Sequence, residues 1–544
     1  MILGGKMYKK LALFMIFFII LGALFSPLIQ SDSVKESNIK ISNGKTLYVG
    51  GIGPGNYSKI KDAIKNASDG DTVYVFSGTY NETLYVNKSI GLIGENKSTT
   101  IIGGIGSYDV VYIINSWASV QNFTIKNSGK YGTDSGIKIN GVIHNISIKN
   151  NIISDNKVGI CVGDEYSNKK INHVSLEGNI IKDNFYGVTL YVTYFTRISN
   201  NTFIRNGLFI PKAYTRDNIV LNNTVNGLPL IYLVEESNKA IQEKAGQVIL
   251  VKCNNITISS QQFNKTCDVC IELFISRDCN IFENNISNKC FGIYLLNSDK
   301  NNLQKNSINN VSTGFYLSNA DKNEISLNSV KNCLFSIFYS NSDQNAVSYN
   351  SFSKCRVGMK LYDSNYNLNS FNLIDNCSED GIYLSFSCNF NQFLNNTIKN
   401  CRYKGIYILG STQIWWDTAS NKNVISGNHI ENNSGGIYLD EASLSEISMN
   451  HIVKNNVGIN VISSGLSKIY NNNIFDNKIA NALIVNSFTS RFKGNFWNGK
   501  VRIHAIPGGI YRYDFRGDCW VLILPLMRFD FHAVKKPYNI GGFR

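Results

Sequence analysis

Apolar and polar residues alternate in short bursts through most of this chain, and the bursts recur at a fixed interval. "GIYLL" (Gly292–Leu296) and "GFYLS" (Gly314–Ser318) each send every second residue to one side, the pattern of half-buried β-strands. Between bursts stand amide-rich turns, and their asparagines keep time. Asn284, Asn306, Asn328, Asn350 and Asn372 are 22 residues apart, and Asn396, Asn428, Asn450 and Asn472 continue the series with two longer intervals. Gly292, Gly314, Gly358, Gly381, Gly405, Gly436 and Gly458 follow the same beat. Three short strands and three turns fill such a period, so the pattern predicts an all-β, right-handed parallel β-helix solenoid of about 22 residues per coil. Stacked coils rise about 4.8 Å each, which turns the Asn series into an amide ladder.

Earlier coils are less regular but legible at Ser135–Ile139, Val158–Val162 and Tyr186–Leu190. We expect first coils over 44–225, an enlarged coil over 226–255 with an excursion near Glu235–Ala245, regular repeats over 284–490 and a C-terminal cap over 491–544. Ile60, Ala63, Ile64 and Ala67 fall on one helical face, predicting an N-terminal helix that covers the open end of the rod.

A length of 544 residues is too great for one globular core and suits such a rod. Lys6, Lys9 and Lys10 precede an apolar run from Leu11 to Ile29. Residues 1–31 therefore read as an export signal or an N-terminal membrane anchor. Sequons at Asn56, Asn81, Asn87, Asn122 and Asn145 suit an exported surface. The net charge of +14 favours anionic partners such as acidic polysaccharide. It is too scattered for nucleic acid, which is not expected as a partner.

"TLYVGGIGPGNYSKIKDAIKNASDGDTVYVFSGTYNETLYVNKSIGLIGEN" (46–96), with "AGQVILVKCNNITIS" (Ala245–Ser259) and "FDFHAVKKPYNI" (Phe529–Ile540), resembles NosD-like β-helix proteins. These belong to a wider group of carbohydrate-binding proteins and sugar hydrolases abundant among archaeal exported proteins. The resemblance covers nearly all of the chain after residue 44. It implies the β-helix fold and export, and it raises copper handling of the metallochaperone kind. No copper motif of the family maps onto residues here.

The residue two after the column glycine is Glu272, Tyr294, Tyr316, Phe338, Lys360, Tyr383, Tyr407 and Tyr438 in successive coils. Alternation points this column outward, where a row of exposed rings can stack on sugar rings. The same rings also serve as cross-strand stacks. The first half places Lys138, Cys161 and Thr189 there, so a ring platform is confined to the second half. His429 and His451, one period apart and read as near Asp440 and Glu441, are the candidate ligands for copper or another divalent metal.

Of the 12 cysteines, Cys333, Cys355 and Cys377 keep the beat, with Cys290 and Cys401 in matching turns. Stacked thiols fill such a column, and free thiols are expected rather than disulfides. Cys267 and Cys270 form a lone CxxC with no second pair. Asp299, Asp321 and Asp343 repeat within turns, where Asx hydrogen bonding accounts for them. Carboxylate pairs are few (Asp164-Glu165, Asp440-Glu441), and adjacent strand residues face opposite ways. No catalytic residue is therefore assigned. The function expected is non-catalytic binding or scaffolding toward cell-envelope carbohydrate; copper handling and a polysaccharide lyase or hydrolase are the alternatives.

Overall fold

A computed structural model describes residues 44–540, apart from 167–168, 213–216, 265–267, 288–289, 411–418, 488, 499–503, 507, 514–518, 523–527 and 531. The candidate signal or anchor over 1–31 and Cys267 lie outside the described residues. Among those described, no helix is long and apolar enough to cross a membrane.

The chain winds into a right-handed parallel β-solenoid of about 19 turns. One coil shows the logic. Asn302–Gln304 lies on the first face, Ser307–Asn309 on the second and Thr313–Ser318 on the third. Each pairs in parallel with its counterpart one coil on: Leu303 with Ile325, Ile308 with Val330, Phe315 with Ile337. The three-residue strands send only their middle residue inward, and the longer strand sends Phe315 and Leu317. Leu303, Ile308, Phe315 and Leu317 are all fully buried. This repeated quartet is the core of the rod.

Corners turn through residues with positive φ: Lys305 (52°), Asn310 (55°), Asn319 (47°) and Lys322 (59°). Such backbone is unfavourable for most side chains and best tolerated by Asn or Gly. What holds the first corner is the Asn ladder. Asn306 donates its backbone N–H (2.8 Å) and its Nδ2 (3.0 Å) to Asn328 Oδ1, and Nδ2 also reaches Ile281 O at 2.9 Å. Asn328 does the same to Asn350, and Asn350 to Asn372. Every rung donates forward, so the last one needs a pure acceptor. Asp530, fully buried, supplies it: one carboxylate receives Asn495 N–H and Nδ2, Gly494 N–H, His532 N–H and Trp497 Nε1.

The glycine column is set by close approach between coils. A Cβ on Gly314 would lie 2.5 Å from Ser336 O and 2.7 Å from Val330 Cγ1. At the front, the helix Ile60–Asn66 buries Ile60, Ala63 and Ile64, and its first N–H groups, Ile60 and Lys61, bond to the Glu82 carboxylate.

The rod is two stacks. Over 226–255, where one enlarged coil was expected, the chain reverses: Val225 pairs antiparallel with Leu228, and Leu228–Val234 founds a new third face that continues in parallel with Gln247–Val251. The expected excursion near Glu235–Ala245 contains the strand Ser237–Ile241, which opens the first face of the second stack. The third face of the first stack ends at Leu208–Phe209. Its unpaired edge is met by side chains from the second stack instead of by another strand. Gln247 receives Leu208 N–H (3.0 Å) and donates to Leu208 O (2.6 Å). Glu272 receives Ile210 N–H at 3.2 Å, and Asp268 receives Gly187 N–H at 2.6 Å.

Candidate functional site: the outward column of the third face

The parallel register aligns the predicted column residue by residue: Glu272 with Tyr294, Tyr294 with Tyr316, Tyr316 with Phe338, Phe338 with Lys360, Lys360 with Tyr383, Tyr383 with Tyr407, and Tyr407 with Tyr438. Tyr294 and Tyr316 stack at 4.9 Å and 10°, Phe338 meets Tyr316 edge-on at 5.0 Å, and Tyr383 stacks on Tyr407 at 5.4 Å. Two lysines thread the rings. Lys360 Nζ sits 5.1 Å from the Phe338 centroid and 5.8 Å from that of Tyr383, and Lys404 Nζ sits 4.1 Å from that of Tyr407. Both are cation–π contacts that hold positive charge on the face. Tyr407 O–H donates to Asp440 Oδ2 (3.2 Å), and burial with that carboxylate pushes the phenol pKa up.

Exposure divides the column. Tyr316, Phe338, Tyr383, Tyr407 and Tyr438 are partly exposed, whereas Tyr294 is 5% exposed and Glu272 fully buried. Both were expected at the surface. They do point out of their coils, but the last strand of the first stack lies over them, with Phe209 edge-on to Tyr294 at 5.3 Å. Glu272 is therefore an acceptor for a strand edge and no part of a platform. Burial raises its pKa well above the usual carboxylate range, and raises that of Asp268 to about 8 against the opposing pull of its N–H donors.

His429 and His451 pair across coils and stack at 5.1 Å and 13°. They stand on the second face, whereas Asp440 belongs to a third-face strand (Gly435–Asp440) and bonds Tyr407. The carboxylate beside His429 is Glu431, 3.1 Å from Nε2 and also 2.8 Å from Lys454 Nζ. Burial, then the neighbouring His429, lowers the His451 pKa. Rings stacked face to face run their in-plane lone pairs side by side instead of converging on one ion, so the pair as arranged does not fit a copper centre. Among the described residues no group of three or more His, Cys, Asp or Glu is placed to hold a metal.

Ten described cysteines are buried, Cys290 among them, and Cys333, Cys355, Cys377 and Cys401 of the turn column are free thiols. The turn aspartates depart from the expected Asx turns. Asp299 accepts Asp321 N–H and Asp321 accepts Asp343 N–H, so the bonding joins coils and does not close a turn.

Sequence reasoning missed the meeting of the two stacks. A cavity of about 360 Å³ opens there, lined among others by Thr189, Tyr186 and Phe209 of the first stack and Phe291, Tyr294 and Tyr316 of the second. The available signal was two acids four residues apart, Asp268 and Glu272, the second at a column position that holds rings and one lysine in the following coils through Tyr438.

No curated protein matches the chain. Among solved structures it is similar to the periplasmic alginate epimerase AlgG, at 12% identity over 62% of this chain and 77% of that one, with a TM-score of 0.33. It is also similar to the catalytic domain of a GH87 α-1,3-glucanase in complex with nigerose, at 11% identity over 75% and 69%, with a TM-score of 0.27. The family described as periplasmic copper-binding protein (NosD) matches residues 231–354 and 336–513. Those matches span just over half of the chain and include the column, the histidine pair and the start of the second stack: the protein belongs to the NosD family.

Proposed function

We propose that this chain is an exported, non-catalytic carbohydrate-binding rod that lays an extended acidic glycan along the third face of its second stack. The family's periplasmic description supports export. The observation that carries the binding reading is the row of partly exposed rings Tyr316, Phe338, Tyr383, Tyr407 and Tyr438, interleaved with Lys360 and Lys404. Rings offer the apolar faces of sugars a stacking surface, and the ammonium groups favour uronate or sulfate substituents. A glycosidase needs an acid and a second carboxylate free to act across the bond. Here Asp440 is engaged by Tyr407 O–H, and Asp380 by Lys404 N–H.

The test is a glycan array carrying neutral and uronate-containing oligosaccharides, probed with the parent and with the Tyr383→Ala/Tyr407→Ala double variant. The expected result is binding of acidic glycans by the parent and a loss of tenfold or more in the variant, at about the strength of one or two lost ring contacts. Equal binding by the two proteins contradicts the column. Copper retained in one-to-one amount after dialysis, with no glycan bound, would favour the family's described metal function instead.

A further inference from the structure

We infer that the cavity where the two stacks meet is a terminal subsite: it takes the end residue, or the last two residues, of the glycan that the column carries. This rests on the carbohydrate reading above. The outward columns of the two third faces converge there. In the first stack, Tyr112, Lys138, Cys161, Thr189 and Phe209 follow one another in register. Phe209 then meets Tyr294, and Tyr316 lies one coil further along the ring column. A chain lying on the column therefore runs at one end into a walled recess. At about 360 Å³ the recess is at the small end of ligand pockets, which run from roughly 300 to 1,000 Å³.

The walls set the ligand's chemistry. Tyr186, Phe209, Phe291, Tyr294 and Tyr316 supply ring faces and edges, with Tyr186 stacked on Phe209 at 5.9 Å and Phe291 edge-on to Tyr316 at 5.5 Å. Between them Thr189 is 3% exposed, and its buried hydroxyl has no hydrogen-bond partner. An unmet buried hydroxyl is costly, and a wholly apolar ligand would leave it unmet. Thr133 also lines the recess, and its hydroxyl accepts Lys138 Nζ at 3.0 Å, which turns its proton away from the lysine. The charged residues of the lining are one acid and one base, Glu165 and Lys212, so the recess does not select an anion as the column does. Apolar ring faces with hydroxyls at the edge describe a neutral sugar residue.

The experiment compares the parent with Thr189→Val, which keeps the shape and removes the hydroxyl, and Thr189→Ser, which keeps the hydroxyl. All three are probed on the same array, with di- to octasaccharides of each bound glycan. A loss of about tenfold in Thr189→Val, the worth of one hydrogen bond, with near-parental binding in Thr189→Ser, is expected at every length, disaccharides included. Parental affinity in Thr189→Val at every length overturns the subsite and leaves the column reading standing. Loss in both variants, with unchanged melting temperatures, also overturns the assignment to the hydroxyl. Failure of the parent to bind any glycan removes the column reading, and the subsite falls with it.

Discussion

The two stacks obey the same corner chemistry and differ in their repeat. In the second, successive rungs of the Asn ladder are 22 residues apart from Asn284 to Asn372. In the first, Asn151 reaches Asn179 across 28 residues, and Asn179 reaches Asn201 across 22, with the same paired bonds to one Oδ1. The rod therefore does not need a constant coil length. From Asn151 to Asn223, and again from Asn284 to Asn472, the first corner of each coil carries an asparagine while extra residues are absorbed elsewhere. The coil before Asn151 holds Phe123 there, whose N–H donates to Asn151 Oδ1. The column two residues after the glycine is where the stacks diverge, and in the first stack it is buried. It runs through Lys138, Cys161 and Thr189 in one and through rings in the other.

That comparison predicts equal damage from equal rungs. Asn350→Ala and Asn201→Ala each orphan donors from the preceding rung. Each should cost about 3 kcal/mol in denaturant unfolding, given roughly 1–3 kcal/mol per unmet buried group. A cost confined to Asn350 would mean that the irregular stack is held by something else.

The joint is the next place to press. Asp268 and Glu272 keep their protons to higher pH in the folded protein than in the unfolded chain, Asp268 to about 8. Between about pH 4 and 8 the unfolded chain therefore binds fewer protons than the folded one, and stability falls as pH rises, by at most about 1.4 kcal/mol per pH unit for each group. The Asp268→Asn/Glu272→Gln variant keeps an acceptor oxygen at both positions and should flatten the denaturation midpoint between pH 5 and 9. A parent curve already as flat as the variant's would contradict the buried pair.

The smallest structural effect belongs to the column. Tyr383→Ala removes a partly exposed ring stacked on Tyr407 and should cost about 1 kcal/mol in thermal or denaturant unfolding. A cost like that of a ladder rung would make the ring a structural element first.

These contrasts also explain what could be read from the sequence. The Asn and Gly beat and the alternation around it specify the second stack almost residue by residue, because each side chain's partner is one period away. Partners at the joint are not. Gly187 and Asp268 are 81 residues apart, and Ile210 and Glu272 are 62 apart, with no repeat linking them. In sequence Tyr294 looks like Tyr316, and only the strand lying over it removes it from the surface. The His429–His451 stack was legible from spacing. Glu431 as the neighbour of His429, in place of Asp440, follows from which face of the coil each occupies.

The most direct test of the binding account is affinity against chain length. It uses isothermal titration of the parent with a ladder of oligosaccharides, from two residues to eight, of whichever acidic glycan binds on the array. A glycan lying along Tyr316 to Tyr438 gains contacts with each added sugar, so affinity should climb over several residues before levelling, and climb less in Tyr383→Ala/Tyr407→Ala. An affinity that is the same from disaccharide to octasaccharide, and the same in both proteins, would contradict a binding column on this face.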